Sequence, residues 1–419
     1  MGALRSNQID SLKLTRWSLT LMSAAMPLYV VRWRVGPLPT TLLENLILLT
    51  GALYVFTLWR HHEPLPRRTP YDVPILLFVL AGVIGIFVAP DHRAATGVFR
   101  AYLLEPIAIF YLATAVLRSA ADFKPILLAG AASASVFSLL VVATFVTVLA
   151  GGHLIIDAAP GVFGINPNAV ALYLEPAAAV ALGFVLFADS RASRSVALAV
   201  LAFVLPALVC TLSRGALLAG AVLAIVAVLS VRDMRLKLGL LSVALVGGLA
   251  LSQVPFVGAR LAHQFDSQHG TLALRLAIWK VTLRMLGDHP LFGAGISAYQ
   301  AVMAHYRTRN LHPEPYAHDI ILTTWSEVGL IGLAAFAVIF IGLLWRARRA
   351  FGSAGDIYRP LLWGIFAAWV VLGIHGLVDS PYWKNDLSLQ FWMLASLEFV
   401  AIAAVRSPRV SLGPSNRSA

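Results

Sequence analysis

Charged residues are scarce in this sequence of 419 residues. Only 12% of them are Asp, Glu, Lys or Arg, whereas 59% are hydrophobic and the mean hydropathy is +0.80. Average soluble domains are about a quarter charged, and their apolar runs are too short to cross a bilayer. The composition therefore excludes a soluble globular protein and predicts an all-α integral membrane protein that crosses the bilayer many times.

Cysteine is almost absent, and compact metal-ligand patterns are missing as well. Cys210 is the single cysteine, so no intrachain disulfide can form, and its apolar surroundings argue against a thiolate nucleophile. No Asp-x-Asp pair occurs. Six histidines gather before or at residue 318 without zinc-ligand spacing, namely His263, His269, His289, His305, His312 and His318. We therefore predict neither a metal nor a cofactor.

The net charge of +12 has a simple explanation in a membrane protein. Basic residues concentrate in the cytoplasmic loops of such proteins. No basic helix with interleaved aromatic residues, of the kind that binds nucleic acid, is present. The bilayer is therefore the expected surrounding, and a nucleic-acid partner is not expected.

Twelve apolar runs follow one another along the chain. They are residues 14–31, 38–59, 71–89, 94–117, 123–150, 167–188, 195–212, 215–231, 236–254, 319–345, 360–378 and 387–405. With about twelve transmembrane helices both termini lie on one side, whose connections hold 20 Lys and Arg against 5 in the short connections of the other side. This asymmetry predicts cytoplasmic termini. The expected parts are spans 1–9 (1–254), a periplasmic helical loop (255–317), spans 10–12 (318–405) and a polar cytoplasmic tail (406–419).

The long loop between spans 9 and 10 contains a predicted helix from Thr271 to Leu286, which Gly287 and Pro290 terminate. Helical spacing places Arg275 and Trp279 on one face and Lys280 and Arg284 on another. The turn-rich residues 288–295 that follow could bring backbone N–H groups close to a ligand. Because paired carboxylates are lacking, we expect any phosphate here to be held by arginine.

His318 immediately precedes a long apolar run and should lie in the first turn of a membrane helix. The positive end of the helix dipole disfavours imidazolium, so we expect a neutral ring that can accept a proton. A general base requires that state. The alternative is an interfacial histidine that binds lipid head groups or caps the helix.

Arg214 lies in the tightest exterior connection between two apolar runs. Ser213 is a good N-cap, so helix N–H groups and a guanidinium would point to the same place and suit a diphosphate. The alternative is an arginine that extends to the lipid head groups.

A few further charges lie in or beside the spans. Arg100 and Glu105 are about one turn apart, and we predict an ion pair, with a substrate contact by Arg100 as the alternative. His375, Asp379 and Lys384 lie at exterior helix ends and could line a site or form a solvated rim.

Several motifs between residues 211 and 332 together resemble the O-antigen ligase and polymerase superfamily of bacterial envelope glycosyltransferases. They occur in the family's order: Ser213-Arg214-Gly215, Arg275-x-x-x-Trp279, His289-Pro290-Leu291-x-Gly293-x-Gly295, His318-Asp319 and Glu327-Val328-Gly329-Leu330-Ile331-Gly332. Asp319 stands where the family more often has Asn.

The resemblance implies an enzyme of the inner membrane that transfers a glycan from undecaprenyl diphosphate to an acceptor at the periplasmic face. It implies His318 as the base and Arg214 and Arg275 as ligands of the diphosphate, without nucleotide sugar or metal. Lys280, Arg284, Trp279, Arg100 and Asp379 are further candidates for substrate binding. The expected partners are O-antigen on undecaprenyl diphosphate, the lipid A-core oligosaccharide and the bilayer.

An O-antigen ligase is the favoured member of that superfamily. An O-antigen polymerase often has two arginine-containing exterior loops with an Arg-x10-Gly spacing, which Arg284 to Gly295 matches only once. A protein O-oligosaccharyltransferase is usually longer after its last spans. A lipid or polysaccharide transporter without chemistry is the more remote alternative, because no internal repeat is visible.

Overall fold

The structure, a computed structural model, describes residues 2–36, 38–62, 64–155, 159–262, 271–308, 311–355 and 357–406. His263, His269 and most of the predicted tail 406–419 lie outside these ranges, so the predictions made for them stay predictions.

Sixteen α-helices are present in the described residues. The first eight are α1 (Gly2–Ala25), α2 (Leu42–His61), α3 (Asp72–Val88), α4 (His92–Phe99), α5 (Glu105–Val116), α6 (Ala120–Ala150), α7 (Pro167–Phe187) and α8 (Arg191–Cys210). The second eight are α9 (Arg214–Ser230), α10 (Met234–Ser252), α11 (Pro255–Ala262), α12 (Thr271–Asp288), α13 (Tyr299–Met303), α14 (Ile320–Ser353), α15 (Arg359–Gly376) and α16 (Asn385–Arg406). A 3-10 turn (Met26–Val30) follows α1, and a π-helical segment (Arg100–Leu104) joins α4 to α5.

Each of the twelve predicted apolar runs lies largely, though not always wholly, in a helix. Within the described chain, nine helices are long and apolar enough to cross a membrane, with α4 to α5 counted as one, and α3 and α9 are shorter apolar helices. The all-α membrane fold predicted from composition is thereby confirmed. The predicted loop helix is also confirmed, since α12 runs from Thr271 to Asp288.

A small β-hairpin between α1 and α2 departs from the purely helical expectation. Its strands, β1 (Arg32–Val35) and β2 (Leu38–Thr41), pair antiparallel with Arg32 opposite Thr41. The turn contains Gly36 at φ 60°, a conformation that glycine adopts without strain. Helix α2 therefore begins at Leu42 rather than near residue 38, and the Thr41 side chain caps it by accepting a hydrogen bond from Glu44 N.

The helix ends on one side of the bundle surround the candidate site. We call this the loop side, because α12, the start of α14 and the end of α15 lie there; the opposite side, where α6, α8 and α15 begin, is the far side. The 289–297 segment anchors the loop to α3, with Ile296 N donating to Gly85 O at 3.1 Å. The long connection is thus attached to the membrane helices.

Helices α7 and α15 pack closely because glycines lie where they cross. A Cβ added to Gly364 would lie only 2.6 Å from Val180 Cα, so the two backbones touch. Small residues at such crossings let membrane helices approach each other, since packing rather than the hydrophobic effect holds them together. This helix pair carries Asn168 and Asp379 at its loop-side ends.

Gly364→Val should therefore destabilise the protein by about 1–3 kcal/mol, the usual cost of overpacking. Gly220→Val is the matched control, because Gly220 is an exposed helical glycine with open space around it. We expect a thermal unfolding midpoint in detergent roughly 5 °C lower for the first variant only. Equal midpoints for both variants would show that the α7–α15 contact tolerates a larger side chain.

Candidate active site

His318 lies in the segment that enters α14, on the loop side. Its φ is 50°, in the left-handed region, and Asp319 is the N-cap, whose carboxylate accepts a hydrogen bond from Leu322 N at 2.8 Å. The helix begins at Ile320. His318 therefore precedes the first turn in which the sequence analysis placed it, and its ring turns away from the helix axis into a largely buried position.

Asp379 is the residue around which the site is assembled. It follows α15 and is 1% exposed. One carboxylate oxygen accepts a hydrogen bond from Asn168 Nδ2 at 2.8 Å, and the other accepts one from Ser380 N at 2.8 Å. His318 Nδ1 lies 3.7 Å from Oδ1, and an Arg275 guanidinium nitrogen lies 4.0 Å from Oδ2. The predicted base and one predicted phosphate ligand thus meet on the same buried carboxylate.

A second carboxylate flanks the other nitrogen of His318. Glu314 Oε2 lies 3.5 Å from Nε2, and the Tyr316 ring packs against the imidazole at a tilt of 45°, with centroids 4.3 Å apart. Burial alone lowers the pKa of His318, but Asp379 and Glu314 outweigh it and raise that pKa to about 9. In return, His318 holds the pKa of Glu314 below its usual range.

The expectation of a neutral imidazole is therefore wrong, because the pKa of His318 is raised. It rested on the dipole of α14, whereas two carboxylates within ion-pair distance act more strongly on the ring. Asp379 stays ionised, because His318, His375 and Arg275 lower its pKa well below the usual range against the opposing effect of burial. At neutral pH the site holds an imidazolium between two carboxylates.

Helix α12 positions both Arg275 and the His318 segment. Trp279 Nε1 donates a hydrogen bond to Ala317 O at 3.0 Å, directly before His318. Thr282 Oγ1 and Tyr299 Oη lie 2.7 Å apart and fasten α12 to α13. Trp279, proposed from the sequence as a substrate contact, thus also serves as a tether for the loop.

Arg214 is the first residue of α9, and the start of this helix packs against the turn that carries Asp379. The Ser213 side chain caps α9 by accepting a hydrogen bond from Ala216 N, as predicted, and lies 3.5 Å from His375 Nε2. A Cβ on Gly215 would overlap the His375 ring. Since Asp379 N donates to His375 O at 3.0 Å, α9 is fixed against the same turn. The Arg214 side chain is half-buried there.

The turn-rich segment after α12 has a structural use that differs from the prediction. From the sequence, its backbone N–H groups could have approached a ligand. Instead Ala294 N and Gly295 N donate to Ser326 O, and Ser297 N donates to Glu327 Oε2 at 2.6 Å. These groups are satisfied inside the protein, because the segment docks against an interruption of α14.

Gly329 forms that interruption, with φ 69° and ψ −176° in the middle of α14. A side chain at Gly329 would overlap the Leu291 carbonyl, so only glycine fits there. The motif from His289 to Gly295 therefore packs against the motif from Glu327 to Gly332. The first motif forms the docked segment, and the second contains the helix break at Gly329 against which it docks.

The remaining predicted residues lie apart from this cluster. Arg100 forms ion pairs with Glu105, at 3.5 Å as predicted, and with Glu44. Lys280 and Arg284 are exposed on the outer face of α12. Their contribution to substrate binding stays a prediction.

Two residues of the site were missed from the sequence. Asn168 is separated from Asp379 by 211 positions, and Glu314, four residues before His318, was not singled out. His375, named only as a residue at an exterior helix end, forms a buried pair with Glu175, with Nδ1 and Oε1 2.6 Å apart. No spacing rule connects residues on different membrane helices, so the only available signal was the rarity of polar residues near helix ends.

Comparison with known protein families finds a match over part of the chain. Residues 197–337 match the family model described as O-antigen ligase, a segment that includes Arg214, Arg275 and His318. The match supports assignment to the O-antigen ligase and polymerase family, as the resemblance predicted. No curated protein matches the chain.

The raised pKa of His318 can be measured with diethyl pyrocarbonate, which acylates neutral imidazole. His318 is protonated below its pKa, so its modification rate, followed by peptide mass spectrometry, should rise with a midpoint near pH 9. Asp379→Asn removes one stabilising carboxylate and should move the midpoint to lower pH. Asp233→Asn, a helix cap elsewhere, should leave it unchanged. A wild-type midpoint near 6.5, the ordinary value, would contradict the role given to the carboxylates.

Proposed function

We propose, from the premise that residues 197–337 belong to the O-antigen ligase and polymerase family, that this protein is an O-antigen ligase. It transfers a polysaccharide from undecaprenyl diphosphate to the lipid A-core oligosaccharide at the periplasmic face of the bacterial inner membrane. The observation that carries the proposal is the placement of His318 and Arg275 on either side of the buried Asp379 carboxylate.

The reaction is an inverting displacement at the anomeric carbon. The acceptor hydroxyl attacks that carbon while His318 takes its proton, and the bond from the carbon to the diphosphate oxygen breaks. The diphosphate leaves with the electron pair of that bond. Arg275 and Arg214 stabilise its charge through guanidinium N–H groups, whose fork suits phosphate oxygens better than a point charge does.

Asp379 acts as the positioning residue for the base. With Nδ1–H of His318 directed at Asp379, Nε2 is left for the acceptor hydroxyl, which takes the place of Glu314. Nδ1 and Oδ1 are 3.7 Å apart, and in the proposed reaction this contact shortens to a hydrogen bond, as catalytic hydrogen bonds often do in the reacting complex. Asn168 donates to Oδ2, and Ser380 N donates to Oδ1, the oxygen that faces the histidine, so both carboxylate oxygens are held in place.

The membrane location of the site suits two lipid-anchored substrates. Helices α7, α9, α14 and α15 all end or begin at the site, so a donor and an acceptor that are both held in the bilayer can reach it laterally. Arginine ligands provide for the diphosphate without a divalent ion, and transfer is expected to continue in EDTA.

The decisive assay uses purified full-length protein, carrier-linked glycan and lipid A-core, without ATP or added metal. The joined product should form with the wild-type protein, and His318→Ala should lower the rate by about 10²–10⁴-fold, as expected for loss of a general base. His305→Ala is the control, because His305 is an exposed loop histidine. Normal transfer by His318→Ala would remove His318 from the mechanism.

The pH dependence of the same assay separates two roles of His318. A base works only when neutral, so the rate should rise with pH toward the pKa of about 9. The rise should occur at lower pH in Asp379→Asn. A rate that instead falls over this range would assign His318 as a cation for the leaving group.

The same assay also tests the identity of the acceptor. Product formed only from two carrier-linked repeat units would indicate a polymerase.

Arg275→Lys should lower kcat/KM roughly 10- to 100-fold, because a charge-assisted hydrogen bond contributes about 1.5–3 kcal/mol and lysine cannot make the forked contact. Arg191→Lys, at the exposed start of α8 on the far side, is the matched control. An unchanged rate for Arg275→Lys would mean that a positive charge alone suffices at this position.

A further inference from the structure

A cavity of about 550 Å³ lies between the membrane helices α6, α7, α8 and α16, apart from the candidate active site. It exists because small side chains face one another across it. Gly130, Ala131 and Ala134 of α6 oppose Ala177 and Ala181 of α7. Its volume lies within the range of small-molecule sites, and its lining shares no residue with the candidate active site.

At the inner end of the cavity, which lies toward the loop side, the polar groups are already hydrogen-bonded within the protein. Tyr173 and Gln390 line this end. The Tyr173 hydroxyl lies 3.1 Å from Ser133 Oγ, and Gln390 Nε2 donates to Tyr173 O at 2.9 Å. Because these polar groups already bond one another and the remaining walls are apolar, a hydrocarbon chain fits the interior.

The outer end, on the far side of the bundle, is suited to an anion. Lys124 and Ser193 line it, together with Tyr358 at the start of α15. Helices α6 and α8 also begin here and present the positive ends of their dipoles. The nearby carboxylate of Asp122 is neutralised by Arg16, whose Nη1 lies 2.6 Å away. The balance of charge at the mouth is therefore positive.

We propose that this cavity binds an anionic phospholipid, with one acyl chain between α6, α7, α8 and α16 and the phosphate beside Lys124. The lining extends along α6 from Ala120 to Ala134, roughly 20 Å at 1.5 Å per residue. That length matches a head group plus one leaflet, whose hydrocarbon depth is about 15 Å. An undecaprenyl chain is several times longer than the cavity, so the donor lipid does not fit.

The lipid would complete the packing of this region. Helix α8 lies at the edge of the bundle, and only 22% of its most apolar stretch is buried within the protein. An acyl chain wedged behind it fills space that small residues leave open and thereby stabilises α8 against α6 and α7. Lipid composition would then set the stability of the bundle separately from the transfer reaction.

The test uses the full-length protein in nanodiscs that contain a photoactivatable phosphatidylglycerol with a diazirine in its acyl chain. Cross-linked peptides should map to the facing surfaces of α6, α7 and α8, and phosphatidylcholine with the same chain should label them less. Lys124→Gln should lower the preference for phosphatidylglycerol about fivefold, the effect of one lysine near an anionic head group. Lys237→Gln, a far-side lysine at the start of α10 outside the cavity, is the control.

Ala131→Phe fills the cavity and should abolish most of the labelling, whereas Ala132→Phe, exposed on the neighbouring face of α6, should not. Ala197→Phe blocks the cavity from α8 and provides a second variant if the first unfolds. Equal labelling of a folded Ala131→Phe or Ala197→Phe variant and the Ala132→Phe control would overturn the proposal. So would equal labelling by both lipids in the wild type, or displacement of the probe by undecaprenyl phosphate.

Discussion

One buried carboxylate organises the loop side of this protein. Asp379 lies at the end of α15 and is almost inaccessible to solvent, so its charge must be compensated locally. Compensation comes from three separate parts of the chain: Asn168 at the start of α7, Arg275 on α12 and His318 before α14. Because each of these partners sits at the end of a different helix, the carboxylate also fixes how those helix ends are arranged.

The same electrostatics determine the state of the histidine. Between Asp379 and Glu314 the imidazole keeps its proton at neutral pH, because its pKa is raised, and the three groups form one cluster. In the proposed reaction the acceptor opens this cluster by displacing Glu314. A base of higher pKa binds the transferred proton more strongly, but a smaller fraction of it is deprotonated at neutral pH.

The loop between α10 and α14 is fixed to the bundle at several points. The turn-rich segment after α12 packs into the break of α14 at Gly329. Trp279 donates a hydrogen bond to the carbonyl of Ala317, the residue before His318. Arg275 lies on α12 within this loop, and His318 lies where the loop enters α14. These attachments place the two residues on a common support, as the proposed transfer between two large substrates would require.

The sequence by itself determined the membrane fold, the positions of the helices and the order of the motifs. Hydropathy, N-caps such as Ser213 and terminators such as Gly287 and Pro290 act over a few residues, so they can be read along the chain. Which groups meet became clear from the folded structure alone. Asn168 and Asp379 are 211 positions apart, and the pKa of His318 is raised by Glu314, four residues earlier in the same segment, together with Asp379, which follows another helix. The amides of the turn-rich segment, which the sequence offered as possible ligand donors, donate instead to groups inside the protein. Coulomb and hydrogen-bond energies depend on distance in space, and local sequence patterns do not encode that distance.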